Sequence, residues 1–475
     1  MKPHFVSHLS QALCTFLFGV AVLLFFGMAY PHHLHYQEQY QLFLFDSNYV
    51  WDIIRMPGGV ADLLGRFCTQ FFQFAWVGAG IIAVLLSLVQ LLTLLLSNVQ
   101  SSKVNVQWLY GLSFVPSFLL WIFLLDEHAL LGGVWAVLLT LFAVWLFTLL
   151  PKGWARYIVI LVSIPIVYWM VGPDWNGSHY HRYPTVTPYL LYAAWLSAIV
   201  LPFIVRVCRN HFSFHHFHFS SLIPHFSFIL VAAIMGWFVW KNANFKAEKV
   251  MQYDFMARHQ QWNRILEAIN TEKPNNQIGV TVQNLALAMH GQLVNHIFDY
   301  NQNGIAGLLP DVQSDATSPL PTAEVHYQLG MISVAQRTVF EAQEAILDFQ
   351  KSARCYKRLA QTNLILGSYQ VARKYLTALQ KTLFYRDWAN ETLPLLGNEE
   401  AIARHPEYGR LRQMVCNEDY YFSDHVTPEM LESLYACNTD NHLALEYLMA
   451  YYVLTNDREN YARLLRQLKE SRVKN

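Results

Sequence analysis

The fold is decided by the stretch from Phe67 to Leu96, FCTQFFQFAWVGAGIIAVLLSLVQLLTLLL, which contains no Asp, Glu, Lys or Arg. An α-helix needs about 20 mostly apolar residues to cross roughly 30 Å of hydrocarbon, where its backbone groups can be satisfied only internally. This stretch is longer than that minimum. It therefore predicts a tilted membrane span, or a span that is preceded by an interfacial helix.

Six further stretches are also apolar enough to be spans. They run approximately from Gln11 to Tyr30, Trp108 to Leu125, Ala129 to Leu150, Tyr157 to Val171, Pro188 to Val207 and Leu222 to Trp240. A buried helix of a soluble core explains any one of them, but not seven in succession. We therefore expect an all-α protein in which residues 1–240 form a polytopic transmembrane bundle of about seven helices. Gly27–Ala29 would also suit signal-peptide cleavage, but an n-region with only Lys2 favours a retained anchor.

Charged residues are distributed unevenly along the 475-residue chain. It has 33 basic and 33 acidic side chains, and its charged fraction is 14%, compared with about 25% in a typical soluble protein. Nine of the basic and seven of the acidic side chains lie in residues 1–240, which leaves 24 and 26 for residues 241–475. This distribution predicts a membrane half followed by a soluble domain. It argues against a fully soluble or disordered chain and against nucleic-acid binding by bulk positive charge.

The loop charges also predict an orientation. If the N-terminus is cytoplasmic, six basic residues lie inside, namely Lys2, Lys103, Lys152, Arg156, Arg206 and Arg209, and three lie outside, namely Arg55, Arg66 and Arg182. The positive-inside rule favours this arrangement. All seven acidic residues of the first half then lie outside, namely Glu38, Asp46, Asp52, Asp62, Asp126, Glu127 and Asp174. We therefore expect residues 241–475 to be extracytoplasmic, and any polar chemistry of the membrane half to occur at its outer face.

Two segments of the second half match at an offset of 30 residues, which indicates a helical repeat. The matched residues are Leu329-Gly330 with Ala342 and Ile346, and Leu359-Ala360 with Ala372 and Leu376. The second copy resembles the tetratricopeptide repeat through Tyr356, Leu359, Ala360, Gly367, Tyr369, Ala372 and Leu376. This resemblance implies a concave surface, over residues 320–470, that binds a protein or peptide partner. Generic antiparallel helical hairpins are the alternative.

The six cysteines contain no C-x-x-C pair of the kind that binds zinc. Cys416 and Cys437 could form a disulfide if the outer compartment is oxidising, which would leave Cys355 as the odd thiol of the second half. Buried free cysteines are the alternative.

The most distinctive segment is the predicted first outer loop, residues 31–66, which carries Glu38, Asp46, Arg55 and Arg66. Its apolar and aromatic residues 43–45 and 49–54 predict an amphipathic helix in the outer interface, followed by a turn at residues 57–59. A loop that only caps the bundle is the alternative.

One resemblance covers nearly the whole chain. The residues that carry it are Pro57-Gly58-Gly59 with Asp62, Gly65-Arg66-Phe67, Gln70-Phe71-Phe72, the hairpin at Trp262 and the segment Leu285–Leu293. They resemble a family of uncharacterised bacterial multi-spanning membrane proteins with a C-terminal helical-repeat domain. The resemblance implies a location in the bacterial inner membrane, with the C-terminal domain in the periplasm, and it implies no activity.

A second resemblance, in layout only, is to membrane glycosyltransferases that use lipid-linked sugar donors. These have a cytoplasmic N-terminus and an acidic first outer loop that is followed by an interfacial helix. The resemblance implies Glu38 or Asp46 as general base or as ligand of a divalent cation, and Arg55 or Arg66 at the lipid phosphate. Asp126 and Glu127 of the next outer loop would add a further carboxylate.

Histidines raise the question of a metal site. A composite zinc site from His32, His33, His35, His179 and His181 is conceivable, but such histidines commonly pair with water and headgroups, so we predict no metal and no cofactor. The sequence has no P-loop, G-x-S-x-G, H-E-x-x-H or G-x-G-x-x-G motif. We therefore expect a membrane protein of undetermined activity whose repeat domain binds partners in the cell envelope, with surface-polysaccharide assembly as a candidate process. The glycosyltransferase is the alternative function.

Overall fold

The computed structural model describes residues 3–98, 110–151, 153–171, 188–211, 223–311, 318–346, 350–418 and 427–474. Within these ranges the regular structure is helical and contains no strand, which confirms the all-α prediction. The chain divides into two compact units, unit 1 from Met1 to Glu248 and unit 2 from Lys249 to Asn475. Five charged residues that were used to predict the orientation lie outside the described ranges, namely Lys2, Lys103, Lys152, Asp174 and Arg182.

Unit 1 is built from ten helices and the start of an eleventh, in the part of the chain that the structure describes. They are α1 Pro3–Leu24, α2 Pro31–Gln37, α3 Ser47–Ile54, α4 Gly59–Thr69, α5 Ala75–Asn98, α6 Val115–Phe123, α7 Leu131–Leu149, α8 Trp154–Val171, α9 Pro188–His211, α10 Ile223–Asn242 and α11 Phe245–Arg258. The last of these crosses the boundary between the units.

The prediction of seven spans is reduced to three or four by the described helices. Gln11–Ala29, Ala75–Ser97 and Leu131–Leu149 are each long and apolar enough to cross a membrane. A fourth span results if α10 and α11, which meet at a 56° bend, are counted together. The other three predicted spans contain shorter apolar helices, over Gly111–Phe123, Arg156–Val171 and Tyr189–Pro202. These helices are shorter than the roughly 20 residues that a span requires.

Helix α5 lies at the centre of unit 1, packed against α1, α6, α7 and α9. Its buried Gln90 accepts a hydrogen bond of 3.0 Å from the hydroxyl of Thr15 and donates one of 3.0 Å to the hydroxyl of Ser113. A polar side chain inside an apolar helix is tolerated when its hydrogen bonds are made within the protein. Gln90 therefore links α1, α5 and the turn before α6.

Helices α4 and α7 approach each other closely at two glycines. A Cβ atom on Gly65 would lie 2.4 Å from the backbone nitrogen of Gly132. Only glycine permits this separation of the two backbones. The close approach fixes α4, and with it the neighbouring Arg66, against α7.

Unit 2 continues from α11 with thirteen more helices in the described residues. They are α12 Trp262–Glu272, α13 Gln277–Met289, α14 Leu293–His296, α15 Pro319–Leu329, α16 Ile332–Ala345, α17 Ala353–Ile365, α18 Tyr369–Leu379, α19 Arg386–Thr392, α20 Glu399–Arg404, α21 Pro406–Met414, α22 Pro428–Cys437, α23 His442–Leu454 and α24 Arg458–Lys474.

Five helical hairpins of unit 2 share one turn geometry. A residue with positive φ follows each first helix by one or two positions, and the second helix begins two positions after that residue; these residues are Gln260, Gly291, Gly330, Gly367 and Asn456. In every case the next backbone N–H donates to the carbonyl five residues back, at 2.8 to 2.9 Å. This is the Schellman termination, which satisfies the last carbonyls of a helix and reverses the chain. The pairs are α11/α12, α13/α14, α15/α16, α17/α18 and α23/α24.

The predicted offset of 30 residues between two repeats is wrong. It equated Gly330 with Ala360, but Gly330 ends α15 in the left-handed conformation, as Gly367 does after α17. The turns align at an offset of 37, which superposes L-G-x-x-x-V-A at residues 329–335 and 366–372. The residue that matches Ala360 is then Ala323, and both are buried. The sequence match had paired a turn glycine with a helix-packing alanine because both are small.

The structure joins Cys416 and Cys437 in a disulfide, with their Cα atoms 5.5 Å apart, a separation that is usual for this bond. Cys355, the predicted odd thiol, is buried and free.

Candidate functional site

The segment after the first span turns its polar side chains inward. It forms α2, a short 3-10 turn at Glu38–Tyr40 and an extended stretch up to α3. Five of its polar residues are buried, namely His33, Gln37, Glu38, Gln39 and Gln41. Buried polar groups are normally held by hydrogen bonds. The hydrogen-bond partners of these residues therefore show which of them have structural roles and which are available for binding or chemistry.

Glu248 of α11 caps the N-terminus of α2. Its two carboxylate oxygens accept hydrogen bonds of 2.7 and 2.8 Å from the backbone N–H groups of His32 and His33. Burial raises the pKa of Glu248 to about 7, and the two amides offset only part of this rise. The cap therefore contains a carboxyl group that titrates near neutral pH.

His33 and Gln37 connect α2 with the loop between α6 and α7. The His33 Nε2–H donates to the carbonyl of Leu124 at 2.9 Å, and burial lowers the pKa of this imidazole to about 4. The Gln37 side-chain amide donates to the carbonyls of Asp126 and Ala129, at 3.2 and 3.1 Å. The two acid-bearing loops that were predicted to face the same side therefore meet at one end of unit 1.

A small cleft lies where these loops meet the end of α4. Its polar lining comes from Gln37, Tyr40, Gln41, Thr69 and Glu127. Gln41 is 2% exposed, and its side-chain N–H₂ has no hydrogen-bond partner. The cleft volume is about 10 Å³, enough for roughly one water molecule. In this form the cleft does not admit a sugar ring.

Two of the predicted site residues have structural roles. The carboxylate of Asp46 caps α3 by accepting hydrogen bonds from the backbone N–H groups of Asn48 and Tyr49, at 2.9 and 3.3 Å. The Arg66 guanidinium pairs with Asp62 at 2.7 Å and donates to the hydroxyl of Tyr49 at 3.5 Å. Burial opposes the charge of Arg66, but Asp62 and Tyr49 hold its pKa above the ordinary value. Tyr49 therefore connects the two residues.

The other two predicted residues differ in burial. Glu38 is in the 3-10 turn and only 5% exposed. Arg55 follows the last residue of α3 and is exposed. Sequence reasoning missed Glu248 and Gln41. Glu248 has no local signal, because it lies 216 positions from the first of the amides that it caps.

The composite zinc site that was considered from the sequence includes two histidines outside the described residues. His179 and His181 lie outside the described residues. Among the described residues no group of three or more His, Cys, Asp or Glu is arranged to hold a metal ion. The Nε2 atom of His33 already bonds to a backbone carbonyl.

The inner helices of unit 2 are held together by buried charges. The Arg354 guanidinium of α17 donates two hydrogen bonds to the Asp254 carboxylate of α11, at 2.7 and 2.8 Å. Arg358, one turn later, pairs with Glu324 of α15 and stacks 3.6 Å above the ring of Tyr327. Every residue of α15 is buried. These contacts place α15 and the charged side chains of α17 inside unit 2.

Comparison with known protein families identifies a family for this chain. The model of a family described as a family of unknown function (DUF6057) matches residues 7–175 and 173–474. Neither the curated proteins nor the solved structures contain a match to the chain.

Proposed function

We propose that this chain, which belongs to the DUF6057 family of unknown function, is a membrane protein that anchors a partner-binding helical-repeat domain in the bacterial cell envelope. The observation that carries this proposal is the set of five hairpins in unit 2 with the same Schellman turn. Stacked helical hairpins form extended scaffolds whose established use is binding. We assign unit 2 to the tetratricopeptide-like class, which the residues from Tyr356 to Leu376 resemble most closely.

The proposed topology has a cytoplasmic N-terminus and an extracytoplasmic unit 2. An odd number of spans, such as the three long apolar helices, would place these two parts of the chain on opposite sides of the membrane. The Cys416–Cys437 disulfide supports the location of unit 2, because such bonds persist in oxidising compartments. Alkaline phosphatase fused to the C-terminus tests the topology. Activity of the fusion is expected, and an inactive but stable fusion contradicts the orientation.

Partner binding is tested by photo-crosslinking in cells. A photoreactive amino acid replaces one exposed apolar residue of unit 2 at a time, such as Phe298, Phe340 or Val371. We expect at least one position to give an adduct of discrete mass that mass spectrometry assigns to a component of the envelope. Trp237 of α10, which is exposed on a predicted span, is the control for contacts with the membrane. Adducts at no position of unit 2 contradict the proposal.

The alternative function is a glycosyltransferase that uses a lipid-linked donor at the outer face. It is favoured by the meeting of the two acid-bearing loops and by Glu127 in the cleft wall. The small cleft and the structural roles of Asp46 and Arg66 weigh against it. A divalent cation would belong only to this alternative. The glycosyltransferase function is tested in a strain in which deletion of the gene for this chain alters surface glycans. If alanine replacement of Glu38 and Asp46 leaves the glycans unchanged, this function is excluded.

A further inference from the structure

Helices α3 and α4 lie at the level where the long apolar helices of unit 1 begin. Gly65 of α4 packs closely on Gly132, the second residue of α7, and α5 starts at Ala75, a few residues after α4 ends. Between α3 and α4, the backbone N–H of Gly58 donates at 2.8 Å to the carbonyl of Trp169, near the C-terminus of α8. Because α5 and α7 are both long enough to span a membrane, this level corresponds to the boundary between hydrocarbon and water.

Helix α3 has one face against the protein and another that is polar. Ile53 is buried, and the hydroxyl of Tyr49 donates to a backbone carbonyl, that of Leu42, at 2.7 Å. Another side of the helix carries three exposed polar side chains, namely Asn48, Asp52 and Arg55. Since an α-helix turns by about 100° per residue, these two groups leave a third arc of α3.

The third arc of α3 is apolar and only partly covered by the protein. It consists of Val50, Trp51 and Ile54. Val50 and Ile54 are half-buried, and Trp51 is 58% exposed. A helix with charged residues on one face and apolar or Trp residues on the other lies in the plane of a membrane surface, with its apolar face at the acyl boundary. Helix α3 has both kinds of face.

Exposed aromatic side chains lead from the N-terminus of α3 to the start of α5. The ring of Phe45 lies 6.5 Å from that of Phe67, which lies 5.6 Å from that of Phe71 in the turn before α5. Phe45 and Phe67 are exposed, as are Phe74 and Trp76 at the beginning of α5. Tryptophan is enriched where membrane spans meet water, and a contiguous exposed apolar patch marks a contact with protein or membrane. The continuity of this patch with α5 favours the membrane.

We propose that α3 lies in the plane of the bilayer surface, with Phe45, Trp51 and Ile54 in contact with lipid. Asp52 and Arg55 then face water. The partner of the apolar arc is therefore a lipid surface and not a protein. This inference rests on the membrane location of unit 1 in the proposed function. It goes beyond that function, because α3 contacts lipid whether or not unit 2 binds a partner.

Spin labels on the full chain in phosphatidylcholine nanodiscs test the proposal. Trp51→Cys, Phe45→Cys and Asp52→Cys are labelled separately in a chain that keeps Cys416 and Cys437 and has alanine at its other native cysteines. Each label is exposed to oxygen, which concentrates in hydrocarbon, and to a water-soluble nickel complex. We expect the ratio of oxygen to nickel collision rates to be higher at the first two positions than at Asp52. Asp52 is the matched control, because it is exposed and adjacent in sequence but lies on the polar face.

Val84→Cys distinguishes failure of this inference from failure of the membrane location. Val84 lies in the middle of α5 and is 58% exposed, so its label should collide mainly with oxygen. If Val84 gives that result but Trp51 collides with nickel as Asp52 does, this inference alone is overturned. If Val84 also collides mainly with nickel, the membrane location fails and the inference fails with it. A Trp51 label that is shielded from both reagents is covered by protein, which also overturns the inference.

Discussion

The side chain of Glu248 accepts a hydrogen bond of 2.8 Å from the backbone N–H of His33, 215 positions earlier in the chain. Its second oxygen accepts from the adjacent amide of His32 at 2.7 Å. One carboxyl group therefore caps the helix that follows the first span and holds it against the helix that follows the last predicted span. The contact therefore contains a carboxyl group whose pKa is raised by burial to about 7.

Replacement of Glu248 by Gln should change how stability depends on pH. Burial raises the pKa of Glu248 in the folded state to about 7, from an ordinary value of 4.5, so the folded state binds this proton more tightly than the unfolded state does. The stability that this group contributes is therefore complete below pH 4.5 and declines as the pH rises through 7, by at most about 3 kcal/mol. Gln does not titrate, so the stability of the variant relative to that of the unmodified chain should increase as the pH rises over this range. The measurement is the melting temperature of both proteins in detergent from pH 4.5 to 8. If the two melting temperatures change with pH in the same way, the expectation is contradicted.

Asp254→Asn should destabilise unit 2 by about 3–5 kcal/mol, because it leaves the buried Arg354 guanidinium without its counter-charge. Urea unfolding of the full chain, followed by tyrosine and tryptophan fluorescence, measures this loss. Glu272→Gln, which breaks the exposed ion pair with Lys249, is the matched control and should cost less than about 1 kcal/mol. Equal losses of unfolding free energy in the two variants would show that the buried ion pair stabilises unit 2 no more than the exposed one does.

Substitutions at Asp46 separate its capping role from a catalytic one. Asparagine also caps helices well, so Asp46→Asn should keep α3 intact, whereas Asp46→Ala should cost about 0.5–2 kcal/mol. If Asp46 only caps α3, the Asp46→Asn variant should complement a deletion strain fully. Loss of complementation by Asp46→Asn, with its melting temperature unchanged, would instead identify a carboxylate that takes part in chemistry.

Gly65→Ala should force α4 away from α7, because the added carbon would lie 2.4 Å from the backbone of Gly132. The cost expected for such overpacking is about 1–3 kcal/mol, and it should appear as a lower melting temperature in detergent. Gly80→Ala is the control, since a Cβ atom there meets no atom within 4 Å. A Gly65→Ala variant that melts with the control would show that the two helices separate without cost.

Cys416→Ser should lower the stability of unit 2 by about 3 kcal/mol, the loop-closure contribution expected for a bridge across 21 positions. The bridge itself is detected by comparing the gel mobility of the full chain with and without reductant. Cys355→Ser, at a buried free thiol, should leave the mobility difference unchanged. A chain from intact cells whose Cys416 reacts with a maleimide before reduction would contradict the bridge.

Composition and periodicity were enough to predict the helical class, because long apolar runs such as Ala75–Ser97 leave few alternatives to a helix. The number of spans was predicted wrongly, as seven against the three or four that the described helices give. α8 and α9 each contain a proline within the helix, Pro165 and Pro202, and the apolar part of each that the structure describes is shorter than a span requires. The small-residue pattern of unit 2 indicated hairpins but gave the wrong register, since glycine at a turn and alanine in a helix look alike in such a pattern.

The sequence by itself determined the helices, their division into an apolar and a charged half, and the residue types at the acid-bearing loops, because these depend on local composition. Only the tertiary structure decided which polar groups meet. Glu248 reaches the amides of His32 and His33, and Arg354 reaches Asp254 across 100 positions. Hydrogen bonds act over about 3 Å. Which distant residues come that close is fixed by the packing of helices and not by the order of residues along the chain.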